Sequence, residues 1–387
     1  GQVVSGTLTG LIEALTPHNV SVNKDYFHAF LLTFRGFCTP VEFINHLRAR
    51  FGTSPPDDLS PNEIQVWSQK WLMPVRLRVQ HVVKSWLDSY FFEDEDASAL
   101  PLIADFVNIE IRAVLPGPAE RMNRMVISKI TEADLMSARG AAPARLARSK
   151  TIDLMLTGVA FIEIHPIEIA RQLTLMDSKL FLTIRPHELL GQEFIKPAEV
   201  STATNVRAMV AASTRISHWV IVTILMESDH SRRLANARHF VDIAHSLLQM
   251  NNFNTMFAIM AGLQSASVDR LKQSVWQPLS SAITGFDSTL KKLNEIIDVT
   301  HNYSGYRKLL KNTEFPAMPF LGLYLSDLTF TDHQQASGSG NGNGGNVEPT
   351  IHINFVKFQR MVSIIQDFQA FQIPYSLTPV HEVQSYL

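Results

Sequence analysis

Apolar side chains in this chain return every three or four residues in window after window, and seldom every second residue. A helix turns once in 3.6 residues and a strand alternates in two, so this spacing confines the chain to helices packed face to face. Phe43, Leu47 and Phe51 keep the helical step. So do Val75, Val79, Val82, Trp86 and Tyr90, although PVRLRVQ alone alternates like a strand. Leu234, Ala237, Val241, Ala244 and Leu248 make a third stripe, and Phe355, Phe358, Val362 and Ile365 a fourth. Two helix starts are marked. Thr39-Pro40-Val41-Glu42 and Ser60-Pro61-Asn62-Glu63 each set a hydroxyl at the N-cap, proline at the first helical position and glutamate at the third. Gly52 is the expected stop of the first. Few segments read as strands, and the expected fold class is all-α.

At 387 residues the chain can bury more than one core. The stretch SARGAAPARLARSK is small, basic and aperiodic, and marks residues 129–150 as a linker. A helical domain is expected over 1–128 and a larger one over 151–387. No repeat of 20–50 residues is present. With 45% apolar and 18% charged residues the composition is that of a globular protein, and a net charge of −2 exerts no general pull on nucleic acid. The single cysteine, Cys38, can form neither an internal disulfide nor a multi-cysteine metal site, which suits a reducing, cytoplasmic setting. Continuous apolar runs such as Met256–Leu263 and Trp219–Met226 are too short for a bilayer, so no intrinsic membrane span is expected. The N-terminus lacks a secretory layout, and Gly1 reads as an internal start with further domains outside it.

Covalent and metal chemistry find no support. HPIEIARQLTLMDSKLF (165–181) gathers His165, Glu168 and Arg171, but Pro166 suits a first helical position. Ile169, Leu173, Met176 and Leu180 then make a buried stripe, and Glu168 can pair with Arg171. That is a helix start rather than a catalytic trio. The EDED run at 93–96 has no calcium-loop spacing around it and reads as a solvated loop. GSGNGNGG (338–345) meets the dinucleotide pattern at Gly340, Gly342 and Gly345, yet no buried strand precedes it and no helix start follows. It reads as a flexible surface excursion. The sequence has no phosphate-binding loop, no H-E-x-x-H (His187-Glu188 lacks the second histidine) and no G-x-S-x-G elbow. No metal site and no cofactor are expected.

A series of motifs points elsewhere. HPIEIARQLT is followed in order by PHELLGQEF (186–194), SHWV (217–220), NNFNTMFAIMAGLQSASVDRL (251–271), Trp276 and YRKLL (306–310). MPFLGLYLSDLTF (318–330) and INFVKFQRMVSIIQDFQ (353–369) complete the series. It resembles the catalytic domain of Ras-type guanine nucleotide exchange factors across essentially all of 151–387. KDYFHAFLLTFRGFCTPVEF (24–43) resembles the Ras exchanger motif that precedes that domain.

The resemblance implies two helical domains, the larger with a protruding helical hairpin. It also implies an activity without bond chemistry: the factor binds a nucleotide-free GTPase better than the GDP-loaded form, and so speeds release. The outgoing arm of the hairpin falls on Phe320–His333 and the returning arm near Thr350–Gln369. Thr329 takes the place of the side chain aimed at the partner's magnesium site, and Asp332-His333 the place of the tip acid. Ser326 and Phe330 on the same arm are placed with them. Family members commonly carry two acids where this chain has Asp332 then His333; either Asp332 substitutes through a small shift of the helix, or the acid is dispensable. Thr329 is smaller than the leucine of some members. Ser213, Gln264, Ala266, Tyr306 and Phe320 fall on the GTPase-binding surface, with Tyr306 and Phe320 as anchors, and Ala211 stands where a relative has an arginine. The implied partner is a Ras-subfamily GTPase, with Rap or Ral as alternative substrates, and a catalytically silent GTPase-binding scaffold is the rival class. Some members bind a second, GTP-loaded GTPase between the two domains; no residue here speaks for that groove. The hairpin tip around 337–346 reads as an inert insertion.

Overall fold

The computed structural model describes residues 3–138, 161–333 and 352–387. The tip at 337–346, the glycine-rich run and the later part of the 129–150 segment lie outside them. The main helices of the N-terminal stretch are α1 (Lys24–Thr33), α2 (Pro40–Phe51), α3 (Met73–Ser89) and α4 (Pro116–Ala138). Then come α5 (Pro166–Phe181), α6 (Thr204–Leu225), α7 (His230–Gln249), α8 (Phe253–Leu263) and α9 (Phe286–Ile297). The last are α10 (Thr300–Lys311), α11 (Leu321–His333) and α12 (Phe355–Gln369). The sheet among the described residues is a two-residue pairing, β1 (Ser5–Gly6) antiparallel to β2 (Ile353–Asn354). The fold is all-α.

These elements form two compact units that do not follow chain order. The first takes its described residues from 3–138, 190–192, 328–333 and 352–364, and the second from 161–189, 193–327 and 365–387. Helix α4 runs to Ala138, into the segment read as a linker.

The core of the first unit is aromatic. Phe30, Phe34, Phe43 and Trp86 are fully buried, with ring centroids 4.6 Å apart for Phe34–Phe43 and 5.1 Å for Phe43–Trp86. Phe30 comes from α1, Phe34 from the turn after it, Phe43 from α2 and Trp86 from α3, and Val75, Val79 and Val82 also lie in the core. The box at the start of α2 closes both ways: Glu42 Oε2 accepts the Thr39 N–H at 2.8 Å, and the Glu42 N–H donates to Thr39 Oγ1 at 3.1 Å. At the second box, the Glu63 carboxylate accepts from the Ser60 N–H at 2.9 Å. Two residues of α12 join this core, with Phe355 4.9 Å from Tyr26 and Phe358 5.0 Å from Phe37.

One expectation fails here. The EDED run is not a solvated loop: it is a short helix, and Asp96 is completely buried. Its carboxylate is paired with the Arg35 guanidinium and accepts from Trp86 Nε1 at 2.8 Å and the Phe92 N–H at 3.0 Å. A run of like charges gives no hint of an arginine 61 residues upstream. Cys38 is buried, which pushes its thiol up to about 12 and leaves it unreactive near neutrality.

The second unit is built around α8, whose residues Phe253–Met260 are all buried. Helix α6 crosses it at Gly262, where a Cβ would fall 2.7 Å from the Ser217 carbonyl oxygen and 2.8 Å from Val220 Cβ. Only glycine lets the backbones meet this closely. The start of α6 is capped by Glu188, which accepts from the N–H groups of Asn205 (2.7 Å) and Val206 (3.1 Å). Glu188 of the His187-Glu188 pair is therefore a helix cap. At 22 residues, α6 is long and apolar enough by composition to span a membrane, which the count of continuous apolar runs missed. Its Val206, Met209, Ala212, Val220 and Ile224 face the core.

The face of α5 also differs from expectation. Ile169 and Leu173 are buried, but Met176 and Leu180 are half-buried, and Thr174, Asp177 and Phe181 turn inward instead. Polar residues hold that face because distant partners meet them. Glu168 and Arg171 do pair, at 3.3 Å, and His165 Nδ1 accepts the Ile167 N–H at 3.3 Å.

Candidate functional site

A groove of about 470 Å³ opens in the second unit between α6, α8 and the start of α11. Its floor is a pair of rings: Phe257 of α8 and Phe320 stack with centroids 4.2 Å apart and planes within 5°. Gly322 makes room for this, since a Cβ there would lie 2.4 Å from the Phe320 ring. Tyr306 of α10 is fully buried beneath, edge-on to Phe253 and Phe257 at 5.3 and 5.1 Å. Its hydroxyl accepts the Phe320 N–H at 2.7 Å, and burial raises its pKa far beyond the phenol range. Tyr306 thus orients Phe320 from within; it does not present its own surface as an anchor.

Ser213, Gln264 and Phe320 line this groove together. Gln264 is exposed and donates through Nε2 to Asn294 Oδ1 at 2.9 Å. Ala266 is exposed at the start of a short helix and is not part of the lining. Val210 stands on the α6 side, 45% exposed.

Three residues that sequence reasoning passed over hold the groove. Asn254 is buried, and its amide donates to Asp177 Oδ2 and to Ser213 Oγ, each at 3.0 Å. Arg307, inside YRKLL, grips Asp327 of α11 with two bonds of 2.8 and 2.7 Å, and donates through Nε to the Asn302 carbonyl at 2.9 Å. The hydrogen bond to Asp327 raises the guanidinium pKa further. Asn302 sits in a run with His301 and Tyr303 that is left-handed throughout, φ 55°, 51° and 57° respectively, a strained conformation for residues with a Cβ. The strained turn places Tyr303 on the groove wall. Sequence offered a signal for Asn254, the polar break in an otherwise apolar FNTMFAIM; for Arg307 and Asp327, 20 residues apart, it offered none.

Helix α11 continues from the groove wall to the tip residues. Helix α12 returns antiparallel to it: Tyr324 meets Phe368 at 5.3 Å, and Asp332 meets Lys357. Ser326, Phe330 and His333 are exposed, Phe330 by 67%, and Thr329 is half-buried. Asp332 is engaged. Its Oδ1 lies 2.7 Å from Lys357 Nζ, and its Oδ2 accepts from Gln192 Nε2 at 2.7 Å. Gln192 follows Gly191 in PHELLGQEF, and both have positive φ, 55° and 58°. Among the described residues no cluster of three or more acidic, histidine or cysteine side chains could hold a metal ion.

Comparison with known proteins bears on what such a surface does. The RasGEF domain family model matches residues 168–359, and the RasGEF N-terminal motif matches 2–109. The chain belongs to the Ras-type guanine nucleotide exchange factor family. It is 29% identical to Ras guanine nucleotide exchange factor A of Dictyostelium discoideum over 98% of this chain and 60% of that protein. It is 28% identical to Cell division control protein 25 of Saccharomyces cerevisiae over the whole chain and 25% of that protein. The Candida albicans protein of the same name is 28% identical over the whole chain and 29% of its own length. The chain therefore spans between a quarter and three fifths of these relatives. Within this RasGEF chain the groove lies inside the matched domain.

Proposed function

We propose that the chain accelerates GDP release from a Ras-subfamily GTPase by binding the nucleotide-free form more tightly than the loaded one. The observation that carries this reading is the groove floored by Phe257 and Phe320, walled by the same helix whose far end exposes Phe330 and His333. A GTPase segment seated on the two rings lies along α11, whose Thr329, Phe330 and His333 then reach the partner's phosphate and magnesium site. The catalytic domain is taken as 151–387, with 1–128 holding the hairpin side chains Phe355 and Phe358 in its aromatic core. Asp332, occupied by Lys357 and Gln192, acts by fixing the tip. No nucleotide, metal or cofactor belongs to the factor itself.

The same occupancy favours a second reading. With Asp332 engaged and His333 standing where relatives carry an acid, a scaffold that binds the GTPase without opening it has a structural motive. One assay separates the two: Ras, Rap and Ral loaded with fluorescent GDP, each mixed with the chain and excess GTP. Faster release from at least one is expected. Tight complex formation with an unchanged GDP off-rate on all three would establish the scaffold and overturn exchange.

A further inference from the structure

Asn254, buried to within 2%, has both ends of its amide engaged. Nδ2 donates to Asp177 Oδ2 and Ser213 Oγ, and Oδ1 accepts the Leu321 N–H at 3.3 Å where α11 begins. The orientation is forced. A reversed amide would turn its oxygen on a carboxyl oxygen that already accepts the Thr255 hydroxyl at 2.6 Å, and its N–H groups on a backbone N–H. Ser213 is therefore the acceptor in its bond with Asn254. A hydroxyl carries one proton, so that proton points away from Asn254. Neighbouring hydroxyls on this edge behave differently. Thr214 donates to the Val210 carbonyl at 2.9 Å and Ser217 to the Ala258 carbonyl at 2.7 Å.

We propose that Ser213 is a hydrogen-bond donor to a carbonyl or carboxylate oxygen of the GTPase segment in the groove, and that Asn254, locked by Asp177, is the positioning residue that sets this polarity. The proposal rests on the exchange reading above and adds the chemistry of one contact. Asn254 takes one lone pair of Ser213 Oγ and leaves the proton free for a partner acceptor at that point. Asp177 never touches the partner and acts through two intervening side chains.

The test uses the whole chain and GDP-loaded GTPase over a range of concentrations. Ser213→Ala, a half-buried site that does not risk the fold, should raise KM roughly three- to tenfold, the worth of one hydrogen bond, with kcat within about twofold. The exchange of partners, Asp177→Asn with Asn254→Asp, keeps an amide–carboxylate pair and an acceptor for Leu321. It places an acceptor beside Ser213, which then turns its proton inward. The doubly substituted chain should show the same KM rise as Ser213→Ala, and adding Ser213→Ala to it should change nothing more. A purely structural role predicts the opposite, two losses that multiply. Wild-type KM in Ser213→Ala, or independent effects in the triple variant, would overturn the proposal while leaving exchange itself intact. Failure of the unaltered chain to speed release from any GTPase would remove both.

Discussion

At the scale of residues, the groove is governed by side chains that are almost wholly buried. Tyr306 sets Phe320 through one bond, and Asn254 sets Ser213 and the first turn of α11. Asp177 is the deepest of them, and its environment makes a pH prediction. Burial raises its carboxyl pKa above the usual aspartate range, and the bonds from Thr255 and Asn254 only partly oppose this. Between the ordinary and the raised value the folded chain holds a proton that the unfolded chain has released. Stability must therefore fall as pH rises through that window, because the native state binds more protons than the unfolded state. Asp177→Asn carries no such proton. Urea denaturation across a pH series should show a smaller decline for Asp177→Asn than for wild type; parallel curves would mean that Asp177 titrates alike in both states.

At the scale of elements, much of the helical layout was legible because it is local. The stripes Phe43-Leu47-Phe51 and Val75-Val79-Val82-Trp86 are core, and Phe355-Phe358-Val362-Ile365 are buried as the period implied. What stayed hidden depends on partners far along the chain. Asp177 looks like an exposed position on α5 until Thr255, 78 residues later, supplies its hydroxyl. Asp96 reads as solvated until Arg35 is beside it, and Ser213 reads as a contact without a sign until Asn254 fixes one. Asp332 is the same kind of case. Sequence presents it as a stand-in acid, whereas its ion pair ties α11 to α12. Both partners are largely covered, Lys357 13% and Asp332 23% exposed, so removing one leaves a poorly solvated charge without its partner. Asp332→Ala should lower the exchange rate more than His333→Ala, and joint Asp332→Lys with Lys357→Asp should regain much of the loss. Loss in the joint variant equal to the product of the single losses would show that Asp332 acts on the partner rather than on the hairpin.

At the scale of the molecule, the division into units assigns the hairpin tip to the N-terminal fold. Residues 328–333 and 352–364 are grouped with 3–138, so the part of α11 bearing Thr329, Phe330 and His333 shares a compact unit with α1, α2 and α3. The link is aromatic. Phe355 is fully buried, 4.9 Å from Tyr26 and 6.2 Å from Phe30, and the β1–β2 pairing with the Phe355 N–H donating to the Val4 carbonyl at 3.0 Å holds the chain just before it. Removing that ring opens a cavity in a core that cannot easily close, at a cost of about 3–5 kcal/mol. The groove's Phe257, Phe320 and Asn254 belong to the other unit. Phe355→Ala should therefore leave GTPase binding at the groove near its wild-type strength while slowing GDP release, a kcat loss with little change in KM. Kinetics of release at graded GTPase concentrations measure both. A rise in KM with kcat unaltered would show that the N-terminal unit serves partner capture and not the placement of the tip.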